Sequence, residues 1–440
     1  MNKNILFIVS FVTLCISSVY AQPDSRDKAR PTPTTIDELF QMAEENNRSI
    51  RAYSTAIEET KASIKSAKNA YLPSIDISLS LSYNGNGTIT DRNFSNALTA
   101  PIPHFGNNFS IEASQVIFAG GAIRNGVKIA ELQSQMAAIN VEKNRREVRF
   151  LIAGNYLELC KLQNQLQVFE SNIVQTQKVL ENMRGRVNEG VALQNDITRY
   201  ELQLQNLNYT KIQLQNTMSL INNQLTTAVG LPQSVVIVPD TAATVGALSA
   251  RALHATPLQS AWVVQIAEKA EQMAGHAEKI SRAERLPQIA LFAGNYLNGP
   301  VTIEIPAPNN NFNYWAVGVG VKYSLGNLYK SNAKIRSKQL AAKRAGEEKA
   351  VAEEQISLAL EEAYTHYQEA FSLLETKEKS VELSAQNYNV ISGRYENDLA
   401  LITDLLDASS QKLDAELQVI NAKINIIYNY YKFKYISGAL

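Results

Sequence analysis

Cysteine is nearly absent: the 440 residues hold two, Cys15 and Cys160. If an N-terminal leader carrying Cys15 is removed, no intramolecular disulfide can form, and packing alone must hold the fold. Charge of one sign is lacking too. With 42 Lys and Arg against 42 Asp and Glu, a general nucleic-acid footprint is excluded. Aromatic residues are few apart from Tyr. The four histidines, His104, His254, His276 and His366, are scattered with no H-E-x-x-H or H-x-x-H pairing, so no metal motif forms from them. "FAGGAIRNG" follows a strand pattern but lacks G-x-G-x-x-G spacing and the phosphate-loop Lys-Ser/Thr; it reads as a tight passage from strand to helix. No nucleophile, base and orienting acid assemble in a recognisable motif. Neither an enzyme nor a cofactor is expected.

Long hydrophobic runs are missing beyond the first segment, where Lys3 precedes an apolar run from Ile5 to Val19 and "SVYAQ" offers Ala21 for cleavage. That pattern is a signal peptide over residues 1–21, too short for a span of ~20 residues. Lipidation of Cys15 is disfavoured by the bulky Leu14 before it. Later runs never approach ~18 apolar residues, so if the chain crosses a membrane, strands must do it.

What is present is a duplication with a period of about 208 residues. "GRVNEGVALQNDI" from Gly185 answers "GRYENDLALITDL" from Gly393, "YLPSI" at Tyr71 answers "RLPQI" at Arg285, and Gly120 falls on Gly326. Residues 22–230 form the first repeat, 231–257 a Pro-punctuated connector and 258–440 the second repeat. Each repeat begins with helix; in the first, Thr35 and Glu38 make a capping box over "TIDELFQMAEEN". A further helix runs to the Pro of "LP", which cannot continue it. Then come a strand, a polar loop (85–106 or 298–311), a second strand and a very long helical hairpin. Leu159, Leu162, Leu166, Phe169 and Ile173 step by three and four, as do Leu214, Met218, Ile221 and Leu225, and Leu406, Ser409 and Leu413. That spacing predicts left-handed coiled-coil packing. The run Glu142–Arg149, "EKNRREVR", interleaves acids with bases and reads as a solvated coil face.

Four strands are expected: Pro73–Asn84, Asn107–Phe118, Leu286–Leu297 and Asn313–Leu325. Ile75, Ile77, Leu79, Leu81 and Tyr83 alternate with Asp76, Ser78, Ser80, Ser82 and Asn84; Trp315, Val317, Val319, Val321 and Tyr323 alternate with small or polar residues. Each is long enough to cross a bilayer, for which ~9–11 residues suffice. Four strands cannot close a barrel, since closed barrels begin at ~8, and an open edge in lipid leaves backbone groups unpaired. A dimer supplies eight strands and a trimer twelve. The same alternation also describes an amphipathic sheet packed on the helices of a soluble protein.

The leader, "YLPSI", "SQVIFAGGAIRNGVKIAELQ", the duplicated hairpin and the tip "ALITDLLDASSQKLDAE" together resemble the TolC-like outer membrane efflux family, over almost the whole mature chain. The resemblance implies a mainly α fold with a β-barrel portion. Duplicated long helical hairpins form an α-barrel tunnel, and four strands per protomer contribute to a twelve-stranded transmembrane β-barrel in a homotrimer. It implies a passive channel of a tripartite efflux or secretion system in a Gram-negative outer membrane, extending into the periplasm. Its partners would be outer-membrane lipid, a periplasmic adaptor (membrane fusion) protein and an inner-membrane pump. At the periplasmic entrance the family carries a D-x-x-D-A segment, matched by Asp404 and Asp407, which lie three apart on one helical face. Tyr395 and Asp196 occupy the positions of a gate link. A second family link uses an Arg where this chain has Ala400, opposite Asn195, so the latch is either weaker or built from other residues, such as Arg394 or Asp398. Gly190, Asn397, Asp398 and Leu399 fall where an adaptor would dock. Two rival functions fit parts of the pattern: a soluble or lipid-anchored periplasmic coiled-coil structural or adaptor protein, and an exported pore former.

Overall fold

The computed structural model describes residues 33–240 and 261–440. The leader with Cys15, residues 241–257 of the connector, and His254 lie outside the described residues. The first repeat runs β1 (Pro33–Thr34), α1 (Ile36–Asn46), α2 (Arg48–Lys68), β2 (Ser74–Tyr83), β3 (Gly87–Ile89), β4 (Leu98–Ala100), β5 (Phe105–Phe118), α3 (Ala122–Asn188) and α4 (Gln194–Val229). After β6 (Val238–Pro239), the second repeat runs α5 (Trp262–Ala283), β7 (Gln288–Gly299), β8 (Phe312–Lys322), α6 (Asn327–Glu396) and α7 (Ile402–Ser437).

Local rules set most of these boundaries. Glu38 N–H donates to the Thr35 hydroxyl at 3.3 Å and Thr35 N–H donates to the Glu38 carboxylate at 2.9 Å, which closes the expected capping box. Asn47 caps α2 by accepting from Ser49 and Ile50 N–H. The helix ends in a 3-10 turn over Asn69–Tyr71, ahead of Pro73. Gly120 and Gly121 both take positive φ, 60° and 83°, and turn β5 into α3. A side chain is barely admissible at Gly120, because a Cβ there would meet Leu286 Cδ1 at 2.9 Å and the Ala283 carbonyl at 3.0 Å.

Strands β2, β5, β7 and β8 pair in that order into one antiparallel sheet. Its polar face carries cross-strand hydroxyl pairs, Ser74 with Ser114 at 2.9 Å and Ser78 with Ser110 at 3.1 Å. The apolar face is left open. Ile75, Ile77, Leu79, Leu81 and Tyr83 are 66–78% exposed, and Trp315, Val317, Val319 and Val321 are 62–75% exposed. A sheet packed on the helices of a soluble protein would bury this face, so that alternative arrangement is not the one the chain adopts. Edges of β2 and β8 have no strand partner among the described residues. The polar loop after β2 is not featureless, for β3 and β4 pair within it; three-residue strands are too short for alternation to announce them.

Below the sheet each strand continues into a helix. α2, α3, α5 and α6 lie side by side in the same order as their strands. At ~1.5 Å per residue, the 67-residue α3 and 70-residue α6 are each about 100 Å long. α4 returns along α3, and α7 along α6 and α3. Near the middle, Leu39, Ile50, Ile152, Leu225, Val229 and Cys160 bury together. Burial pushes the Cys160 thiol up to about 12, so it is an inert apolar filler. Tyr156 donates to the Thr34 carbonyl at 3.0 Å and accepts from Asp240 N–H at 2.9 Å, tying the short parallel pair β1–β6 to α3.

Two sequence expectations are corrected. The seam of α7 runs through Ile402, Leu405, Ala408, Ala415, Ala422 and Ile426, with Leu406, Ser409 and Leu413 only half-buried; small Ala residues let helix backbones approach, and hydropathy spacing underrates them. Nor is Glu142–Arg149 simply a solvated face. Asn144 and Val148 are buried, and Arg145 and Arg149 reach Glu44 of α1 at 3.2 and 2.8 Å, clamping α1 onto α3.

Substituting Gly120→Ala forces an L-residue into positive φ against Leu286 and is expected to lower stability by roughly 1–3 kcal/mol. Gly275→Ala, in open space within α5, is expected to be neutral or stabilising by up to ~1 kcal/mol. Thermal unfolding of the two purified variants checks the contrast.

Candidate functional site

The two hairpin tips are built alike. In the first, Gly190 takes φ 79°, its N–H donates to the Val187 carbonyl, and Val191 N–H donates to the Arg186 carbonyl. The second places Asp398 at φ 59°, with Asp398 N–H on the Tyr395 carbonyl and Leu399 N–H on the Arg394 carbonyl. These are helix ends closed by a left-handed residue, for which Gly is best suited and Asp tolerable. After each turn a leucine, Leu193 or Leu401, precedes the returning helix with its backbone extended. Asp196 then accepts from Leu193 N–H at 3.4 Å, and Asp404 accepts from Leu401 N–H at 3.1 Å. Each carboxylate thus sits at the positive end of a helix dipole.

Asp404 and Asp407 share the exposed face of the first turns of α7, while Ile402, Leu405 and Ala408 share the buried one. Asp407 accepts from the Gln411 amide at 2.7 Å. Within one chain, then, both aspartates have local structural work. Asp196 is half-buried and Tyr395 is half-buried beside it. Burial first, and then the Asp196 carboxylate, push the Tyr395 phenol above its ordinary value, with Arg186 pulling the other way. No hydrogen bond joins the Tyr395 hydroxyl to Asp196 among the described residues. Ala400 is half-buried, Asn195 is exposed, and Gly190, Asn397, Asp398 and Leu399 all face outward. Asn397 closes the end of α6 by donating from its amide to the Gly393 carbonyl at 2.7 Å.

Arg186 is the residue that sequence reasoning missed. From the last turn of α3 its guanidinium donates to the Tyr395 and Glu396 carbonyls, each at 3.2 Å, and to the Asp398 carboxylate. It also lies over the Tyr395 ring at 5.2 Å. A planar fork of five donors can cap two orphan carbonyls at a helix C-terminus and hold an anion at once. Its counterpart in the other repeat, Arg394, instead donates to the Leu399 carbonyl of its own turn at 3.2 Å. Alignment of the repeats pairs the two arginines but cannot say that one of them crosses between tips. Beneath this bracket, Leu180, Met183, Ile197, Tyr200, Tyr388 and Leu405 form a shared core joining all four helix ends.

Among the described residues no group of three His, Cys, Asp or Glu converges to hold a metal ion. No described helix is long and apolar enough to cross a membrane, which leaves the sheet untouched by that criterion.

Residues 39–231 match the family model described as Outer membrane efflux protein. No curated protein matches the chain. Solved structures of similar fold include the outer membrane protein VceC from Vibrio cholerae, at 14% identity and a TM-score of 0.75, over 92% of this chain and 96% of that one. CusC, described for its transmembrane channel formation, has 14% identity and a TM-score of 0.79 over 92% of both chains. The Campylobacter jejuni CmeC outer membrane channel has 12% identity and a TM-score of 0.74, over 92% of this chain and 85% of that one. The fold is therefore that of these channels, with helical hairpins for an α-barrel and strands for a β-barrel.

Replacing Arg186 by Gln releases the second tip. Amide hydrogen exchange over residues 395–401 is expected to quicken several-fold in the variant while α1 and the sheet stay unchanged, since local opening reports local contacts. An Arg186→Lys variant, with no planar fork, is expected to restore little of the protection.

Proposed function

We propose that this protein is a TolC-like outer membrane efflux protein, the passive outer-membrane duct of a tripartite export system, assembled from three copies. The protein resides in the outer membrane of a Gram-negative bacterium and extends into the periplasm as a helical tunnel. One observation carries the duct: a four-stranded sheet, apolar face bare and both edges unpaired among the described residues, stands on helices about 100 Å long. Bare apolar alternation is what lipid accepts, and unpaired edges are what lipid forbids. Three copies, giving twelve strands, is the number the family resemblance implies.

The tips are the entrance. Asp404 and Asp407, repeated around a threefold axis, form two stacked carboxylate rings that favour cations. Arg186 brackets the second tip from the first within a protomer, and Tyr395 with Asp196 supplies a further polar link that breaks on opening. Arg186 and Asp398 stand in for the family arginine that Ala400 replaces. Gly190, Asn397, Asp398 and Leu399 meet the periplasmic adaptor. An inner-membrane pump supplies the energy, and cargo leaves along the axis unchanged.

The test is single-channel conductance of the purified protein in bilayers against an Asp404→Asn/Asp407→Asn variant. Asn keeps the acceptor that closes the helix end while removing the charge. A cation-preferring current whose preference falls in the variant supports the acidic entrance. A current indifferent to the substitution removes the gate and keeps the channel. Native mass spectrometry of the same preparation is expected to give three chains; two would overturn the trimer.

A further inference from the structure

The chain has as many acids as bases, but not where sheet meets helix. Residues 61–73, 119–134, 276–287 and 323–338 together hold twelve Lys or Arg and three Glu. These stretches are distant in sequence and adjacent in space, being the ends of α2, α3, α5 and α6 that abut the strands. Each helix shows its cations as a stripe at helical spacing. Lys61, Lys65 and Lys68 do so on α2, Arg124 and Lys128 on α3, and Lys330, Lys334 and Lys338 on α6. All twelve are exposed except the half-buried Arg285.

The excess is not neutralised locally. All three acids are already engaged: Glu131 by Lys128, Glu278 by Arg282 and Glu284 by Lys334. Arg285 turns instead to neutral partners, the Ser331 hydroxyl at 2.9 Å and the side-chain amide oxygen of Asn332. The shared positive field is felt by His276, which accepts or donates at 2.8 Å with Asn125. Burial, then Lys279, Lys128 and Arg124, push its imidazole below the ordinary value. Above this collar lies the bare apolar face of the sheet, and at their border Tyr71, Tyr323 and Tyr329 are exposed. Hydrocarbon, tyrosine and cation follow one another as they do at a bilayer surface.

We propose that the collar binds the phosphates of anionic phospholipids in the leaflet on the helical side of the barrel. The inference rests on the sheet being the membrane-embedded part. Nine uncompensated positive charges per chain lie within about 20 Å of axis, on the order of two Debye lengths at physiological salt. Headgroup phosphates at the edge of the apolar band are the anions held at that level.

Phosphatidylglycerol added to the detergent-solubilised full-length protein is expected to raise its melting temperature by several degrees and to remain bound in native mass spectra. Phosphatidylcholine should do neither, and inorganic phosphate should not substitute. Changing Lys65, Lys68, Arg124, Lys279, Lys330 and Arg336 to Gln is expected to cut phosphatidylglycerol retention at least tenfold. A companion variant with the four lysines changed to Arg keeps it and controls for folding. Equal retention of phosphatidylcholine, full replacement by inorganic phosphate, or a Gln variant that retains phosphatidylglycerol would each overturn the collar. If that last variant also shifts ion selectivity, the cations line the conduit instead. Conductance recorded on the same protein separates the two ideas: current without lipid preference discards the collar alone, whereas lipid retention without current discards the channel.

Discussion

Hydrocarbon offers no hydrogen bonds, and under the proposed membrane placement the rest of this molecule follows from that. Any backbone N–H or C=O placed in lipid must find a partner within the protein, at several kcal/mol for each failure. Among the described residues one chain supplies one four-stranded sheet with two open edges. Under that placement the edges call for further copies, and the bare apolar face for lipid around them. The helices below are then held in register by the strands they continue, since α2, α3, α5 and α6 keep the order β2, β5, β7, β8.

At the far end the constraint reverses, because water is present and the unsatisfied groups belong to helix termini. Four helices end there, and local devices close each end. Asp196 and Asp404 cap the returning helices, Gly190 and Asp398 turn the outgoing ones, and Arg186 closes α6 from the neighbouring helix. The asymmetry between Gly190 and Asp398 matters. Glycine closes its turn and offers nothing more; aspartate closes the same turn while presenting a carboxylate to Arg186. Divergence of the two repeats at this one position thus converts a shared turn into a cross-tip bond. The shared core of Leu180, Met183, Tyr200 and Leu405 places both tips close enough for that bond to form.

The two ends of the helices also differ in charge. Cations crowd the strand end, where phosphates lie under the proposed membrane placement, and aspartates mark the tips, where an entrance to an aqueous tunnel is proposed. A neutral total hides this polarity entirely. It emerges only when residues 61–73, 119–134, 276–287 and 323–338 are seen to converge.

Much of the architecture is local and was therefore written in the sequence. Period-two alternation in "IDISLSLSYN" gave a strand because side chains alternate faces. Thr35 with Glu38 gave a helix start, and Pro73 and Pro287 gave helix stops, each by short-range sterics or hydrogen bonding. The duplication and the family resemblance located the tips and the aspartates within them. What the sequence could not hold were partnerships between distant residues. Glu44 clamps Arg145 and Arg149 about a hundred positions away, Arg186 meets Asp398 across 212, and Ala415 and Ala422 line a seam that hydropathy would assign to leucines. Such contacts depend on which helices lie side by side. Helix order is set by strand pairing, and strand pairing is a tertiary choice.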